Sequence, residues 1–147
     1  MQDPTHALGY AFERHVIRLL EREFDIVGWM GDGTRTKEEV DFSPDIIARN
    51  KKTGVVIGLE CKFRSSHDMG RISWAKEYQM KKYVRFKEEA GFQLFIVIGL
   101  GGTPEKPDYM YCVPLAQATH NRLDAGDLKR YRRNPARPFE WSAGRLA

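Results

Sequence analysis

Residues 44–62 read PDIIARNKKTGVVIGLECK, and this stretch predicts the β-hairpin around which the fold is built. Two apolar runs rich in β-branched residues flank a polar turn, and Gly54 at the end of that turn can adopt a positive φ. A loop formed by residues 51–54 has a length that is common in hairpins. With that loop, Asp45 lies directly opposite Glu60.

This register gathers three ionisable side chains within an otherwise apolar hairpin. Side chains alternate along a strand, so Glu60 and Lys62 share one face, whereas a register slipped by one residue would separate Asp45 from Glu60. Opposed Cβ atoms lie about 4.5–5.5 Å apart, and two carboxylates at that distance repel each other unless a cation lies between them. Oxygen ligands favour Mg²⁺ or Mn²⁺ over zinc. The pattern therefore predicts a metal site suited to hydrolysing a phosphodiester bond.

Length and composition predict one domain of 147 residues, with a core over about 5–115 and a basic extension over about 116–147. A hydrophobic fraction of 41% and a charged fraction of 30% are typical of a soluble globular protein. No apolar run reaches the roughly 18–20 residues that span a bilayer, so no membrane partner is expected. Without a secretory pattern at the N-terminus, and with Cys61 and Cys112 lacking metal-ligand spacing, a cytoplasmic protein without a disulfide is expected. A net charge of +4 is compatible with a polyanionic partner.

The order of predicted elements is α-β-β-β-α-β with one later strand, which indicates an α/β fold with a mixed central sheet flanked by helices. Apart from the hairpin, the predicted elements are helices over 5–23 and 74–90, strands over 25–29, 92–99 and 109–114, and loops over 30–43 and 100–108.

Two polar side chains lie on otherwise apolar helix faces. Glu13 is at the edge of the apolar arc of the first helix, where it would face solvent, pair with a neighbouring cation or enter a polar site. Gln79 lies within the apolar arc of the second helix, and a buried amide needs hydrogen-bond partners. It could equally cap a loop or bond the edge of the sheet.

Together these motifs resemble those of the PD-(D/E)xK nuclease superfamily, which has the restriction-endonuclease-like fold. Residues 44–45 and 60–62 match its Pro-Asp and Glu-x-Lys elements, and residues 9–13 are similar to its first-helix motif of a glycine followed by an acid. Residues 79–83 resemble the Gln-x-x-x-Tyr motif of the RecB-like branch. The resemblance implies a Mg²⁺-dependent deoxyribonuclease that hydrolyses phosphodiester bonds.

The resemblance also implies a role for each residue of the hairpin. Asp45 and Glu60, with the backbone carbonyl of Cys61, would bind Mg²⁺ or Mn²⁺. Lys62 would orient the attacking water and stabilise negative charge on the phosphate. An ion pair between Lys62 and one of the acids, without a metal, is the alternative.

Three helical residues receive roles from the same resemblance. Glu13 would hold a metal-bound water or a second ion. Gln79 and Tyr83 would position the catalytic lysine or the nucleic-acid backbone.

Basic residues around the hairpin and in the C-terminal segment are candidates for binding DNA, although either group could equally form a solvated face. These candidates are Arg64, Arg71, Lys129, Arg130, Arg132 and Arg133. The sequence contains no recognisable zinc finger or helix-turn-helix, so structure- or end-directed cleavage is expected rather than sequence-specific cleavage.

Two branches of the superfamily fit the sequence. The first-helix motif, short hairpin and compact length resemble archaeal-type Holliday junction resolvases, which are homodimers that cut branched DNA. The Gln79 and Tyr83 pair instead resembles RecB-like nucleases, which are usually domains of larger machines, so the DNA partner could be branched or single-stranded. A non-catalytic nucleic-acid-binding protein on a nuclease fold is a further alternative, although the intact set of Asp45, Glu60 and Lys62 favours an enzyme.

Overall fold

The computed structural model describes residues 4–29, 44–67, 69–75, 77–118, 122–124 and 126–147. The main elements are α1 (Pro4–Leu20), β1 (Phe24–Trp29), β2 (Ile46–Asn50), β3 (Val56–Arg64), β4 (Arg71–Ser73), α2 (Glu77–Ala90), β5 (Leu94–Gly102) and β6 (Pro107–Pro114). The C-terminal segment adds two 3₁₀ turns (Leu115–Gln117 and Asp127–Tyr131) and the short strands β7 (Arg122–Asp124), β8 (Arg132–Arg133), β9 (Trp141–Ser142) and β10 (Arg145–Leu146).

A six-stranded sheet in the order β1-β2-β3-β5-β6-β8 forms the centre of the fold. The β3–β5 pair is parallel and the other neighbours are antiparallel, so the sheet is mixed as predicted. A parallel pair needs a crossover, and α2 lies within the connection between β3 and β5. No helix among the described residues is long and apolar enough to cross a bilayer.

The predicted hairpin register is confirmed. Ile46 pairs with Leu59, and the pairing continues in the same register to Arg49 with Val56. Extended by one residue, this register places Asp45 opposite Glu60, as predicted. At the turn, the Gly54 amide donates to the Asn50 carbonyl at 2.9 Å, and Gly54 has a φ of 76°. The Asn50 side chain accepts hydrogen bonds from two backbone amides of the turn. The turn therefore fixes the register locally.

One hydrophobic core lies between α1 and the sheet. Phe12 and Val16 of α1 are fully buried against Leu59 and other apolar side chains that share its face of the sheet. Cys61 and Cys112 belong to the same cluster and are free thiols. The odd-numbered residues of β3 thus face α1, as the alternation predicts.

A second core lies on the opposite face of the sheet. Ile96 and Ile98 of β5 are fully buried there, together with Trp74 and with Tyr83 of α2. This is the face toward which the even-numbered residues of β3 point, so Glu60 and Lys62 approach α2 rather than α1.

The C-terminal segment packs on the first core. The Phe139 amide donates to the Leu19 carbonyl at 2.8 Å, and the Phe139 ring is fully buried. Trp141 meets the rings of Phe24 and Phe95 edge-on, at centroid distances of 6.2 and 6.1 Å. These contacts join the end of the chain to both α1 and the central sheet.

Both helices are shorter than predicted at one end. The predicted first helix of 5–23 ends at Leu20, and Phe24 belongs to β1, where it pairs with Asn50. Sheet pairing has overridden a helical apolar pattern that continues through this residue. The predicted second helix of 74–90 begins at Glu77, and Trp74 and Ala75 instead follow β4 as buried residues outside the helix.

The strands after α2 are longer than predicted. β5 continues to Gly102 and β6 begins at Pro107, so much of the predicted 100–108 loop belongs to the sheet. Gly101 and Gly102 both have a positive φ, which lets the strand twist into a tight connection. The predicted 30–43 loop lies outside the described residues.

Close approach of the chain at Gly58 of β3 leads to a stability prediction. A Cβ at this position would lie 2.3 Å from Leu94 Cδ2 and 2.8 Å from Pro44 Cγ. Because the strand and Pro44 are both buried, we expect G58A to lower the free energy of unfolding by about 1–3 kcal/mol in urea titrations. The control is G9A in α1, where a Cβ has no neighbour within 4 Å. If G58A were as stable as the wild type, Gly58 could not be packed this closely against Leu94 and Pro44.

Candidate active site

Asp45 and Glu60 lie side by side at the open end of the hairpin. Asp45 directly precedes the first paired residue of β2, and its Oδ2 accepts a hydrogen bond from the Cys61 amide at 2.9 Å. Glu60 is only 5% exposed. Burial raises the pKa of Glu60 well above its usual value, and the charge of Asp45 and a hydrogen bond with it raise this pKa further. The two carboxyl groups are therefore in contact in the structure, as the hairpin register predicts.

Lys62 lies beside this pair. Its Nζ is 3.6 Å from Glu60 Oε1, and about a fifth of its side chain is exposed (19%). The positive charge lowers the pKa of Glu60, but burial and Asp45 have the larger opposing effect. The ion pair considered as an alternative in the sequence is thus present, and Lys62 remains accessible from solvent.

Glu13 is buried rather than facing solvent. Only 6% of the residue is exposed, and its Oε1 accepts a hydrogen bond from Trp29 Nε1 at 3.1 Å. Burial raises the pKa of the Cys61 thiol, and the charges of Asp45, Glu13 and Glu60 raise it further. Glu13, on α1, therefore lies close enough to β3 for its charge to act on Cys61.

The second helix contributes Tyr83 and Gln79 to the same region. Tyr83 is buried, stacks on Trp74 at a centroid distance of 5.9 Å and hydrogen-bonds Glu60. Gln79 is half-buried one helical turn earlier, on the side of α2 that carries Tyr83. Tyr83 thus contacts a predicted metal-binding acid, whereas the sequence had suggested a contact with Lys62 or the nucleic acid.

The hydrogen bond between Tyr83 and Glu60 leads to a second prediction. Y83F keeps the ring that stacks on Trp74 but removes the hydroxyl that orients Glu60. We expect about 10-fold slower DNA cleavage at limiting divalent ion, because partners that orient metal-binding groups contribute 10–100-fold. The rate is compared with that of Y109F, which removes a hydroxyl from an exposed side chain of β6. Equal rates for the two variants would show that the hydroxyl has no role in cleavage.

The residues of the hairpin fit a hard divalent cation. Asp45, Glu60 and the carbonyl of Cys61 offer oxygen ligands, as Mg²⁺ and Mn²⁺ prefer. The buried Glu60 carboxyl group and the half-buried Asp45 carboxyl group are in contact, and such a pair needs either a proton or a cation to offset its repulsion. Within the described ranges, no cluster of three or more His, Cys, Asp or Glu side chains forms a complete metal site. In proteins, Mg²⁺ usually keeps several water ligands beside one or two carboxylates.

The basic candidates near the hairpin differ in their surroundings. Arg64 donates to the carbonyls of Ser73 and Phe63 at 3.1 and 3.0 Å, and burial lowers its pKa. Arg71 is exposed on β4. Of the two, Arg71 has the more open position for a phosphate contact.

The C-terminal candidates also fall into two groups. Lys129, Arg130 and Arg132 are exposed, and the Arg132 guanidinium lies 4.8 Å from the ring centre of Tyr109. The guanidinium of Arg133 instead packs 3.6 Å from the ring centre of Phe139, and burial lowers its pKa to about 10. Its Nε and Nη1 are buried without a hydrogen-bond partner among the described residues. This packing leaves Arg133 half-buried, in contrast to the exposed Arg132.

Two tryptophans were not identified from the sequence. Trp29 contacts Glu13, and Trp74 supports the ring of Tyr83. A tryptophan in an apolar stretch is usually a core residue, so neither position carried a signal of function. Their roles depend on which polar group each indole meets in the folded chain.

The fold and the hairpin site together define a nuclease of the PD-(D/E)xK superfamily. A family model described as archaeal Holliday junction resolvase (Hjc) matches residues 5–122, and the chain belongs to this family. Membership confirms the predicted superfamily and the predicted function of a metal-dependent nuclease acting on DNA.

Among solved structures, the fold is similar to that of the Holliday junction resolvase Hjc from Archaeoglobus fulgidus. The TM-score is 0.57 at 16% sequence identity, and the match covers 85% of this chain and 92% of that one. This likeness confirms the predicted restriction-endonuclease-like fold. No curated protein sequence matches the chain.

Proposed function

We propose that this protein resolves four-way DNA junctions as a homodimer, with Mg²⁺ or Mn²⁺ bound by Asp45, Glu60 and the Cys61 carbonyl. The observation that carries the proposal is the contact of the Asp45 carboxyl group with the buried Glu60 carboxyl group, with Lys62 Nζ 3.6 Å from Glu60 Oε1. Within a family of nucleases, this arrangement is best explained as a site for a divalent ion and a scissile phosphate.

Each side chain of the site has a separate task in phosphodiester hydrolysis. A divalent ion held by these residues would supply Lewis acidity and lower the pKa of water. Lys62, which is partly exposed, orients the attacking water and stabilises the negative charge that develops on the phosphate. Tyr83 restrains Glu60 through a hydrogen bond, and the Cys61 amide restrains Asp45. Both acids are thus held in place before the ion and DNA bind.

If the substrate is a four-way junction, a dimer follows from the number of hairpin sites. Resolving a four-way junction requires cuts in two strands, and each chain offers one hairpin site. The relative from Archaeoglobus fulgidus is described as a Holliday junction resolvase, which supports the same substrate here. Exposed Lys129, Arg130 and Arg132 would bind phosphates without reading bases.

Cleavage of a panel of labelled DNAs tests this proposal. The panel contains a four-way junction, a linear duplex of the same sequence and a single strand, each with Mg²⁺, Mn²⁺ or EDTA. We expect paired cuts near the branch point of the junction, at least 10-fold slower cutting of the duplex, and no cutting in EDTA. Sedimentation should show a dimer on the junction. Binding without cleavage on every DNA would contradict a nuclease, and preferential digestion of single strands would instead favour a RecB-like activity.

A further inference from the structure

The first strand of the sheet contains a β-bulge immediately before its last residue. Phe24, Asp25 and Ile26 pair with β2 in one register, but Gly28 and Trp29 pair in a register shifted by one residue. The chain therefore fits Val27 and Gly28 opposite the single residue Ile47. Bulges of this kind re-aim the side chains that follow them and often occur beside active sites.

The bulge determines the face of the sheet on which Trp29 lies. Phe24 and Ile26 point toward α1, so strict alternation would direct Trp29 to the opposite face. The extra residue pairs Trp29 with Ile46, whose side chain belongs to the core beneath α1. The Trp29 ring accordingly packs against that core, while Val27 is 45% exposed.

This orientation brings the indole to the buried carboxylate of Glu13. The Trp29 Nε1–H donates to Glu13 Oε1 at 3.1 Å, across two elements of the fold. An indole offers one donor and no acceptor, so Glu13 is the acceptor in this contact. Glu13 is also close enough to the hairpin for its charge to act on Cys61, as those of Asp45 and Glu60 do.

We propose that Trp29 is a positioning residue for the metal site: the bulge at Val27 turns its indole toward α1, and its N–H holds the Glu13 carboxylate beside the hairpin. The inference rests on the proposed function, in which Glu13 holds a metal-bound water or a second ion. Trp29 itself touches neither the metal-binding acids of the hairpin nor the scissile phosphate in this scheme.

Divalent-ion affinity of the DNA-free protein tests this role. W29F keeps an aromatic ring in the core and removes only the N–H donor and part of the ring. We expect its Mn²⁺ affinity, measured by calorimetry, to be about 10-fold weaker, as for other partners that orient metal-binding groups. E13Q should weaken binding similarly because it removes the charge of the carboxylate, and the W29F/E13Q double variant should be no weaker than E13Q alone, because Trp29 acts on the ion only through the Glu13 carboxylate.

The matched control is W141F, which alters a tryptophan that packs against the same core through Phe24 and Phe95. It should bind Mn²⁺ like the wild type, even if both tryptophan variants have a lower Tm. Wild-type Mn²⁺ affinity of W29F or of E13Q would overturn the inference, and so would additive effects in the double variant. A loss of stability in W29F without a loss of affinity would show that Trp29 is only a packing residue.

Indole NMR signals provide a readout that does not depend on metal or activity. The three tryptophans give three ¹⁵N-indole signals, and the Trp29 signal is identified by its absence in W29F. In the metal-free protein, E13Q should shift this signal and speed its hydrogen exchange several-fold while leaving the other two unchanged. An unaffected Trp29 signal would overturn the inference. A protein with these NMR and Mn²⁺ results that cuts no DNA would contradict the proposed function but support the role of Trp29.

Discussion

K62M should lower the rate of junction cleavage by about 10³-fold at saturating divalent ion. Methionine retains an unbranched apolar chain of similar length, so the packing around β3 is preserved while the positive charge is removed. The reaction then lacks the group that orients the water and offsets charge on the phosphate, and loss of one such group costs about 10²–10³-fold. The rate is measured in single-turnover reactions on a labelled four-way junction.

K52M is the matched control for this experiment. Lys52 is exposed in the turn of the same hairpin, at the end away from Asp45 and Glu60. Its replacement removes an equal charge and should leave the single-turnover rate within about 2-fold of wild type. If K62M cleaves as fast as K52M, the lysine of the hairpin has no part in the chemistry.

E60Q should abolish cleavage and yet stabilise the metal-free protein. The folded state raises the pKa of Glu60 through burial and the adjacent Asp45. Between the ordinary glutamate pKa and this raised value the native state binds more protons than the unfolded state, so stability falls as pH rises. In EDTA near pH 8, we expect the free energy of unfolding of E60Q to exceed that of the wild type by about 1 kcal/mol or more. This difference corresponds to a Tm higher by roughly 2–4 °C.

The pH series and an added metal separate this effect from general stabilisation. Between about pH 5 and pH 8 in EDTA, wild-type stability should fall more than that of E60Q, because glutamine does not titrate. Mg²⁺ should raise the Tm of the wild type but not that of E60Q, since a ligand that binds only the native state stabilises it. E105Q, which changes an exposed glutamate, is the control. A lower Tm for E60Q than for E105Q in EDTA at pH 8 would contradict the claim that Glu60, next to Asp45, destabilises the metal-free protein.

The hairpin could be predicted from the sequence because its determinants are local. The turn at Gly54 and the alternation along β3 lie within a few residues of each other, and together they fixed the alignment of Asp45 with Glu60. The fold class followed from the order of elements. The family resemblance then supplied roles for Glu13 and Gln79 that the helix patterns alone had left open.

Other features depend on contacts between distant parts of the chain. Phe24 continues the helical pattern of α1 in the sequence, but pairing with Asn50 places it in a strand. Arg133 belongs to a basic run, yet its guanidinium packs on Phe139. The orientation of Trp29 depends on a bulge, which periodicity cannot reveal because it assumes unbroken alternation.

The rate of four-way junction cleavage by D45N, compared with D25N, tests most directly whether the hairpin is the active centre. Asparagine retains an oxygen that can accept the hydrogen bond from the Cys61 amide, so the hairpin keeps its shape while one metal-binding charge is lost. Asp25 is exposed on β1, so D25N is a control that also removes one acidic side chain. The proposed mechanism predicts that D45N binds the junction like the wild type but cuts it about 10³-fold more slowly, whereas D25N cuts normally. Cleavage by D45N at the wild-type rate would contradict the assignment of this hairpin as the active site.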